Sequence, residues 1–428
     1  MKPSAQLQTC IELLILTGSE KSPSDALLSA YFRARRFIGS KDRAAIAQRF
    51  YNVLRHWARL NWWRGYLAAG ESSEKSTNHL IEIKGFSGLS EKSVRALLLS
   101  HLRLVEQMET KEVAALFEGG KYAPAPLDDA EKKLLNELKG RTLLHPQMPE
   151  AAKLECPAWA YEKLKSALGG DFEKEQQAML MEASLDLRVN SVKATREQAL
   201  AELEKADIEA APTPLSKLGI RVKGRPSIVA LDIFKQGWIE IQDEGSQLVA
   251  EIVAASPGMS VVDFCAGAGG KTLAIAASMN NKGRVVACDV LGGRLKRAQL
   301  RFRRAGLHNI SVRELADEND DWVKRNAALF DRVLVDAPCS GTGVWRRNPD
   351  ARWKNLGPGL DDLTALQARI LKSASRLVKP GGRLIYATCS MLNEENQMQV
   401  EKFLKENAAF TRAGEEHSLT PARHGTDG

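Results

Sequence analysis

Two cysteines stand out because each follows a short β-rich run and lies in a turn motif. Cys339 lies in Asp336-Ala-Pro-Cys-Ser-Gly-Thr-Gly343, and Cys389 lies in Thr388-Cys-Ser390. A single free cysteine is usually a small buried hydrophobe. Two thiols at the ends of strands of one parallel sheet would instead share the edge at which such sheets bind ligands. The pair therefore indicates covalent chemistry rather than packing.

Carbon 5 of cytosine is a target for which two thiols would be useful, because it is too poor a nucleophile to take a methyl group from a sulfonium directly. Addition of a thiolate to carbon 6 converts the ring to an enamine whose carbon 5 can attack. The proton on carbon 5 must then leave and the sulfur must be expelled, so a second group can assist release. Asp336 is placed to stabilise the charge that develops near ring nitrogen 3, and Lys271 could lower the pKa of a thiol or orient Asp336.

A glycine loop, Asp263-Phe-Cys-Ala-Gly-Ala-Gly-Gly-Lys-Thr272, follows another apolar run. A P-loop needs glycine where this chain has Cys265, and a dinucleotide fingerprint needs glycine where it has Thr272, so both phosphate-binding patterns fail on spacing. Asp289 ends the next apolar run and could accept two ribose hydroxyls. The loop therefore favours a nucleoside without phosphates, such as S-adenosylmethionine; the alternative is a helix cap with tight backbone packing.

These residues must be positioned by the last zone of the chain, in which β-rich runs alternate with helical segments from about residue 233. The runs are, in order, VVDFC, RVVACDV, ISVREL, DRVLVDAP and GRLIYATCS. This alternation predicts a mostly parallel sheet with helices on both faces, which is an α/β Rossmann-like domain. Ligands of such sheets bind at the carboxyl ends of the strands, where the candidate residues lie.

Two further zones precede this domain. The first reads as helical because apolar residues recur at three-to-four spacing, and the Gly- and Pro-rich GGKYAPAPLDD reads as a connector. LDLRVNSVK, REQALAELEKA, IRVKG and IVALD then predict a small α+β module in which strands alternate with a helix. The predicted domains are an all-α domain over 1–140, the α+β module over 141–232 and the Rossmann-like domain over 233–428.

The composition is that of a folded protein of several domains. The chain has 428 residues, of which 44% are hydrophobic and 27% charged, and this excludes disorder and collagen-like repetition. Six cysteines without a CxxC pair argue against a zinc ribbon or a disulfide framework, and seven histidines without an HxxxH or HxH pair argue against a metal site. We therefore expect a reducing, cytoplasmic compartment. No window approaches 18 uncharged apolar residues, which argues against a membrane span.

The net charge points to a polyanionic partner. Lys and Arg exceed Asp and Glu by eight, and between residues 2 and 64 eleven basic residues stand beside four acids. The segment RLKRAQLRFRR carries six basic residues and no acid. Both could bind RNA phosphates, and a solvated helix face is the alternative for each. The group 345–347, Trp-Arg-Arg, could stack a flipped-out base or pack in the core, whereas Trp57, Trp62 and Trp63 fit a helical core.

Taken together, the motifs DFCAGAGGKT, DAPCSGTG and YATCS, with QDEGSQLVA upstream, resemble those of the RNA (cytosine-5) methyltransferases of the Nol/Nop/Sun family. The most similar branch is that of the bacterial Sun (Fmu, RsmB-type) enzymes, which act on small-subunit ribosomal RNA. The resemblance extends to PAWAYEKL and LRVNSVK in the middle of the chain. It also extends to the N-terminal helices, which are similar to the NusB-like RNA-binding domain of that branch.

The resemblance implies a role for each candidate residue. Cys389 would be the nucleophile and Cys339 the residue that aids product release, with Asp336 and Lys271 completing the catalytic set. The implied cofactor is S-adenosylmethionine, with Asp289 at its ribose, Asp317 near its adenine and Asp336 near its methionine end. The other implied donor contacts come from the loop residues Cys265, Ala266, Gly267, Ala268, Gly269, Gly270 and Lys271. RNA is the implied partner, without a membrane or a metal, and a monomer is expected.

Alternatives stay open at this point. The modified cytosine could lie in tRNA, or the chain could be a non-catalytic RNA-binding assembly factor that keeps a donor-binding fold. Methylation of an exocyclic amine is disfavoured, because such enzymes carry Asn/Asp-Pro-Pro-aromatic where this chain has Cys339 after Pro338. The family normally continues beyond Gly428 with aromatic residues and a final strand. Either the sequence is truncated there or its sheet lacks an edge strand.

Overall fold

The computed structural model describes residues 1–70, 85–86, 88–354 and 357–428. The chain divides into two compact units. The first unit comprises residues 1–181 with 345–358, and the second comprises residues 182–344 with 359–428. The three domain ranges drawn from the sequence stay a prediction beside this division. In the described ranges no helix is long and apolar enough to pass through a bilayer.

The first unit is helical. Apolar side chains at helical spacing form its core, and Trp57, Trp62 and Trp63 are each about 1% exposed, which confirms their predicted packing. Its described helices are α1 (Pro3–Ser19), α2 (Ser24–Ala34), α3 (Ser40–Arg55), α4 (Trp57–Ala69), α5 (Glu91–Leu104), α6 (Thr110–Leu116), α7 (Asp129–Glu137), α8 (Glu150–Lys153), α9 (Ala158–Leu168) and α10 (Phe172–Ala178).

Some basic side chains of the first unit form ion pairs and hydrogen bonds within that unit. Arg49 pairs with Glu106, with 2.6 Å between Nε and Oε1, and Arg59 donates from Nε to the Lys153 carbonyl over 3.0 Å. The exposed cations of this stretch include Arg33, Arg36 and Lys41. The charge between residues 2 and 64 is therefore only partly available to a polyanion.

Residues 345–354 pack into the first unit although the chain enters them from the second. Trp345 is fully buried, and its ring lies edge-on to Trp159 with 6.2 Å between centroids. Arg352 is buried beside it and donates to the carbonyls of Glu155 and Met179, each over 2.9 Å. The structure therefore places Trp345 in a core and removes it as a platform for a flipped-out base.

The second unit begins with a four-stranded antiparallel sheet in the order β2-β3-β1-β4. Its strands are β1 (Leu185–Val189), β2 (Ala210–Pro212), β3 (Gly219–Val222) and β4 (Ile239–Ile241), and its helices are α11 (Arg196–Lys205) and α12 (Asp232–Lys235). The predicted α+β character is confirmed. Helix α11 begins after a capping box formed by Thr195 and Gln198, as its sequence favours.

The prediction of a strand at IVALD, residues 228–232, is wrong. Ile228–Ala230 form a 3₁₀ turn, and the strand that pairs with β1 is β4. Ile228 is buried while Val229 is 57% exposed, and so short an apolar run does not distinguish a strand from a turn. The decisive influence is the pairing with β1, in which Leu187 lies opposite Ile241.

A five-stranded parallel sheet forms the rest of the second unit, in the order β7-β6-β5-β8-β9, and this confirms the Rossmann-like prediction. The strands are β5 (Ser260–Asp263), β6 (Arg284–Asp289), β7 (Ile310–Glu314), β8 (Phe330–Asp336) and β9 (Val378–Ala387). The helices are α13 (Glu244–Ile252), α14 (Gly270–Ser278), α15 (Gly292–Ala305), α16 (Asp321–Arg325), α17 (Leu360–Ser375), α18 (Gln397–Glu406) and α19 (Pro421–His424).

The strand order creates the ligand edge of this sheet. Val261 and Val262 point to opposite faces of β5 and belong to separate apolar clusters, so both faces are covered. Strand β5 is central. Strands β6 and β7 are added on one side of it and strands β8 and β9 on the other, and this reversal of strand order opens a crevice at the carboxyl ends of the strands. Four strands end in an acid at this edge, namely Asp263, Asp289, Glu314 and Asp336.

Helix α15 carries the basic segment singled out in the sequence. Arg301 and Arg304 both contact Glu240 on β4, so part of its charge ties the two sheets of the second unit together. The exposed cations of the helix are Arg294, Lys296, Arg297 and Arg303. The alternatives of an RNA-binding face and a solvated face both persist for these four.

Candidate active site

The two cysteines lie together. Cys339 follows the end of β8 and Cys389 follows the end of β9, and the strand register places Asp336 opposite Ala387. The Sγ atoms of Cys339 and Cys389 are 3.3 Å apart, which is hydrogen-bond distance for sulfur. Cys389 is exposed and Cys339 is half-buried, so Cys389 is the more accessible of the two thiols.

This contact gives the two thiols different pKa values. A thiol hydrogen bond from Cys339 lowers the pKa of Cys389 against the desolvating effect of neighbouring atoms, and the ammonium of Lys271 lowers it further. The same bond, together with burial, raises the pKa of Cys339 well above its usual range. Cys389 is therefore favoured as the thiolate and Cys339 as the thiol that donates to it, and a thiolate is the reactive form of sulfur.

Lys271 and Asp336 form an ion pair beside the thiols. The Lys271 ammonium donates to Oδ2 of Asp336 over 2.7 Å, from the first turn of α14 to the end of β8. Burial alone would lower the pKa of Lys271, but the attraction of Asp336 outweighs it and raises that pKa. Lys271 therefore stays charged and fixes one oxygen of the carboxylate, while the 32% exposed Asp336 side chain remains accessible.

The glycine loop is shaped by two residues with left-handed backbone. Gly267 has φ +54° and Gly269 has φ +78°. A Cβ at Gly269 would lie 2.5 Å from the ring of Phe302, so that glycine lets α15 pack against the loop. A Cβ at Gly267 would meet no heavy atom of the described residues within 4 Å, and the Gly267 N–H donates to Asp289 over 2.8 Å. The loop thus keeps open space above Gly267.

Asp263, at the end of β5, is a residue that the sequence analysis did not single out. It is 1% exposed, and its Oδ2 accepts a 2.6 Å hydrogen bond from Thr272. Its Oδ1 is buried without a donor in the described chain, and burial raises the pKa of Asp263 to about 6. Its position immediately before the glycine loop was the available signal.

The predicted ribose and adenine residues lie on neighbouring loops of the same edge. Asp289 ends β6 and accepts from the backbone N–H groups of Gly267 and Leu291, each over 2.8 Å. Of the three crowded acids after β7, Asp320 accepts two backbone N–H groups around the start of α16, and Glu318 pairs with an arginine of α17. Asp317 is exposed, and its Oδ1 accepts from the backbone N–H of Asn319 over 2.7 Å. It is the acid of the three most available to a ligand.

These residues fit a nucleoside donor that carries an amino-acid group. Lys271 is engaged by Asp336, so it does not behave as the free lysine of a phosphate site. Asp289 can still accept hydroxyl donors, because each carboxylate oxygen accepts more than one hydrogen bond. The unpaired Oδ1 of Asp263 can accept an ammonium, directly or through water, and the space above Gly267 admits a ligand close to the backbone.

Within the described ranges of the chain, no group of three or more His, Cys, Asp or Glu residues is arranged to hold an ion.

Comparison with known proteins gives a consistent result. Residues 250–422 match the profile of the 16S rRNA methyltransferases RsmB/F, and residues 156–228 match the ferredoxin-like domain of RsmF/B-like methyltransferases. The chain is 30% identical over 382 residues to a ribosomal RNA small subunit methyltransferase B of Salmonella paratyphi B, covering 88% of this chain and 86% of that protein.

Two other comparisons extend this. A probable ribosomal RNA small subunit methyltransferase B of Synechocystis is 40% identical over 228 residues, covering 52% of this chain; the chain spans about half the length of that relative, 50%. A crystal structure of the protein PH0851 aligns with a TM-score of 0.72 at 24% identity, covering 100% of this chain and 97% of that one. At that identity the structural likeness speaks for the fold alone.

Proposed function

Because the chain belongs to the RsmB/F family of S-adenosylmethionine-dependent methyltransferases, we propose that it methylates carbon 5 of a cytosine in small-subunit ribosomal RNA. The observation that carries the proposal is the pair of thiols 3.3 Å apart beside the ion pair of Lys271 and Asp336. The names of the relatives support the RNA class, and the exposed cations of both units suit its phosphates. A cytoplasmic location and a monomeric state stay predictions.

The donor would lie along the edge formed by β5, β6 and β8. When bound, S-adenosylmethionine supplies a methyl group on a positively charged sulfur. Asp289 would accept the ribose hydroxyls, Asp317 would lie near the adenine, and Asp336 near the methionine end. The loop residues Cys265, Ala266, Gly267, Ala268, Gly269, Gly270 and Lys271 would line the remaining contacts. Asp263 supports this arrangement with its unpaired Oδ1.

The thiolate of Cys389 would then attack carbon 6 of the cytosine. A sulfur–carbon bond forms, and the electron pair of the 5,6 double bond becomes available at carbon 5, with part of the charge spreading toward ring nitrogen 3. Asp336, held by Lys271, would lie at nitrogen 3 and relay a proton from solvent to that atom, which neutralises the charge; the proton returns by the same route on release. This is covalent activation of a weak carbon nucleophile.

Release reverses the addition. Carbon 5 takes the methyl group, its proton passes to solvent water, and the electron pair of that carbon–hydrogen bond re-forms the 5,6 double bond as the sulfur leaves carbon 6. Cys339 would stabilise the departing thiolate by donating its S–H to Cys389, because its own raised pKa keeps it protonated. Cys389 is thus the proposed nucleophile and Cys339 the proposed aid to release.

RNA that contains 5-fluorocytosine tests the proposal, because fluorine cannot leave carbon 5 as a cation and the adduct stalls. We expect the wild-type protein with S-adenosylmethionine to form a denaturation-resistant adduct with a small-subunit RNA fragment, and Cys389→Ala to form none. An equal adduct with Cys389→Ala would refute the assignment of the nucleophile. An adduct with tRNA but not with ribosomal RNA would show that the substrate is tRNA. Tight RNA binding without any methyl transfer would favour a non-catalytic assembly factor.

A further inference from the structure

Two adjacent residues between β9 and α18, Glu395 and Asn396, each contact one of the two cysteine loops. The hydrogen bonds that the structure shows for these two side chains go to residues around the cysteines and not to the thiols themselves. Glu395 ends the 3₁₀ turn Asn393–Glu395 and is fully buried. Its backbone is fixed from behind, because the Tyr386 hydroxyl donates to the Glu395 carbonyl over 2.8 Å.

Glu395 holds the loop of Cys339. Its Oε1 accepts from the Ser340 backbone N–H over 2.8 Å, and its Oε2 accepts from the Ser340 hydroxyl over 2.5 Å. The amide of Gln367 donates to the same Oε1 over 2.9 Å and also to the Pro338 carbonyl over 2.9 Å. The residues on both sides of Cys339 are therefore fixed by one buried carboxylate and the amide that it binds.

Asn396 holds the loop of Cys389 in the same manner. Its Nδ2 donates to the Ser390 carbonyl over 2.7 Å and to the Leu392 carbonyl over 3.0 Å. Its Oδ1 accepts from the Thr388 hydroxyl over 2.5 Å. The residues on both sides of Cys389 are thus bound to one amide side chain.

The two loops are also joined to each other. The Ser340 and Ser390 hydroxyls are 3.3 Å apart, and the Gly343 N–H donates to the Cys389 carbonyl over 3.0 Å. A displacement of either loop would therefore change the distance between the two sulfurs. Because a thiol hydrogen bond weakens steeply with distance and angle, this network determines whether Cys339 can assist Cys389.

We infer that Glu395 and Asn396 are positioning residues that hold the thiols of Cys339 and Cys389 at hydrogen-bond distance from each other. Glu395 acts through the loop of Cys339, the residue that aids release, and Asn396 acts through the loop of Cys389, the nucleophile. This inference rests on the proposed function for the roles of the two thiols. It assigns separate steps to two neighbours in the sequence: Glu395 acts on resolution of the covalent RNA adduct, and Asn396 acts on its formation.

Length and charge of Glu395 can be separated by two substitutions. Glu395→Gln keeps the length: its oxygen can accept from the Ser340 N–H and from Gln367, while its amide donates to the Ser340 hydroxyl. Glu395→Asp keeps the charge but withdraws the carboxylate by about 1.5 Å, one carbon–carbon bond. Misplacement of that size lowers a rate by about 10- to 100-fold.

We therefore expect Glu395→Gln to turn over RNA within about threefold of wild type, as hydrogen bonds are retained. Glu395→Asp should slow turnover by about 10- to 100-fold and accumulate the covalent adduct with ordinary cytosine RNA. Gln367→Met, which frees Pro338 from the other side, should accumulate the same adduct. Asn396→Asp, which loses both donors, should slow adduct formation instead. Glu401→Asp, on the exposed face of α18, is the matched control and should behave as wild type.

A second readout works without RNA and thus separates this inference from the proposed function. Iodoacetamide labelling of Cys389 in the full-length protein is followed against pH by peptide mass spectrometry. The groups that act on this thiol are Cys339, Asp336, Lys271 and Glu395. Wild type should have a midpoint below the ordinary cysteine value of about 8.5. Glu395→Asp should raise the midpoint and Glu395→Gln should not.

A raised midpoint in Glu395→Asp without any RNA methylation by wild type would keep the positioning role and overturn the proposed function. An unchanged midpoint together with an unchanged adduct lifetime in both Glu395→Asp and Gln367→Met would overturn the inference. So would an active Glu395→Asp beside an inactive Glu395→Gln, because charge rather than reach would then matter.

Discussion

Alanine substitutions at Gly267 and Gly269 should damage different properties, although the two glycines are two residues apart in one loop. Both have positive φ, so each alanine carries a left-handed backbone strain of about 1–2 kcal/mol. Only at Gly269 does the new methyl group collide with the protein, at 2.5 Å from the buried ring of Phe302. At Gly267 it enters the open space that we propose for the methyl donor.

The magnitudes follow from these contacts. A methyl group forced into a packed interior costs about 1–3 kcal/mol. Gly269→Ala should therefore lower the free energy of unfolding by about 2–5 kcal/mol, and Gly267→Ala by about 1–2 kcal/mol. If the donor packs against Gly267, the added methyl group instead destabilises the complex with the donor by the same amount of about 1–3 kcal/mol. This cost should weaken S-adenosylmethionine binding by about 5- to 150-fold, at 1.4 kcal/mol for each factor of ten.

Urea unfolding measures the first quantity, and titration calorimetry with S-adenosylmethionine measures the second. We expect Gly267→Ala to lose only about 1–2 kcal/mol of unfolding free energy but to bind the donor poorly, and Gly269→Ala to lose about 2–5 kcal/mol. If Gly267→Ala binds the donor with the wild-type Kd, the space above this glycine is not part of the donor site. If the two variants lose equal stability, the Phe302 contact does not control packing of the loop.

Three further results are expected. Lys271→Met should shift the pH–rate profile to higher pH, because the ammonium lowers the pKa of the Cys389 thiolate, and an unshifted profile would contradict that interaction. Cys339→Ala should accumulate the covalent RNA adduct on a denaturing gel, since the departing sulfur loses its donor; free product at the wild-type rate would argue against its role. Asp263 has a folded pKa of about 6, above its unfolded value, so its ionisation destabilises the fold as pH rises through 6. In urea unfolding, Asp263→Asn should abolish the fall in unfolding free energy between pH 5 and pH 8, and the variant should also bind the donor more weakly. An equal fall in wild type and variant would refute the burial effect.

The sequence was most informative where local pattern and chemistry coincide. Alternating β-rich runs and helices predicted the parallel sheet, because a strand buried on both faces needs a continuous apolar run. The carboxyl-end rule then predicted that Cys339 and Cys389 would meet, and the 3.3 Å contact bears this out geometrically. The roles of the two thiols stay predictions, as do the donor contacts of Asp289 and Asp317.

What the sequence did not reveal depends on contacts between distant residues. The strand was expected at 228–232, but β4 is the strand that pairs with β1, because this pairing and not local propensity selects the strand. Glu395 and Asn396 carry no local signal, since their function depends on loops that end other elements. Trp345 could not be assigned to a core from its neighbours, because its partner Trp159 is far away in the chain.

The most direct test of the central claim is to locate the covalent bond. Trypsin separates the two thiols, because Cys389 falls in the peptide 384–402 and Cys339 in the peptide 333–346. After trapping with 5-fluorocytosine RNA and nuclease digestion, mass spectrometry reports which peptide carries the methylated nucleotide. The nucleotide mass is expected on 384–402, at Cys389; its appearance on 333–346, at Cys339, would contradict the account.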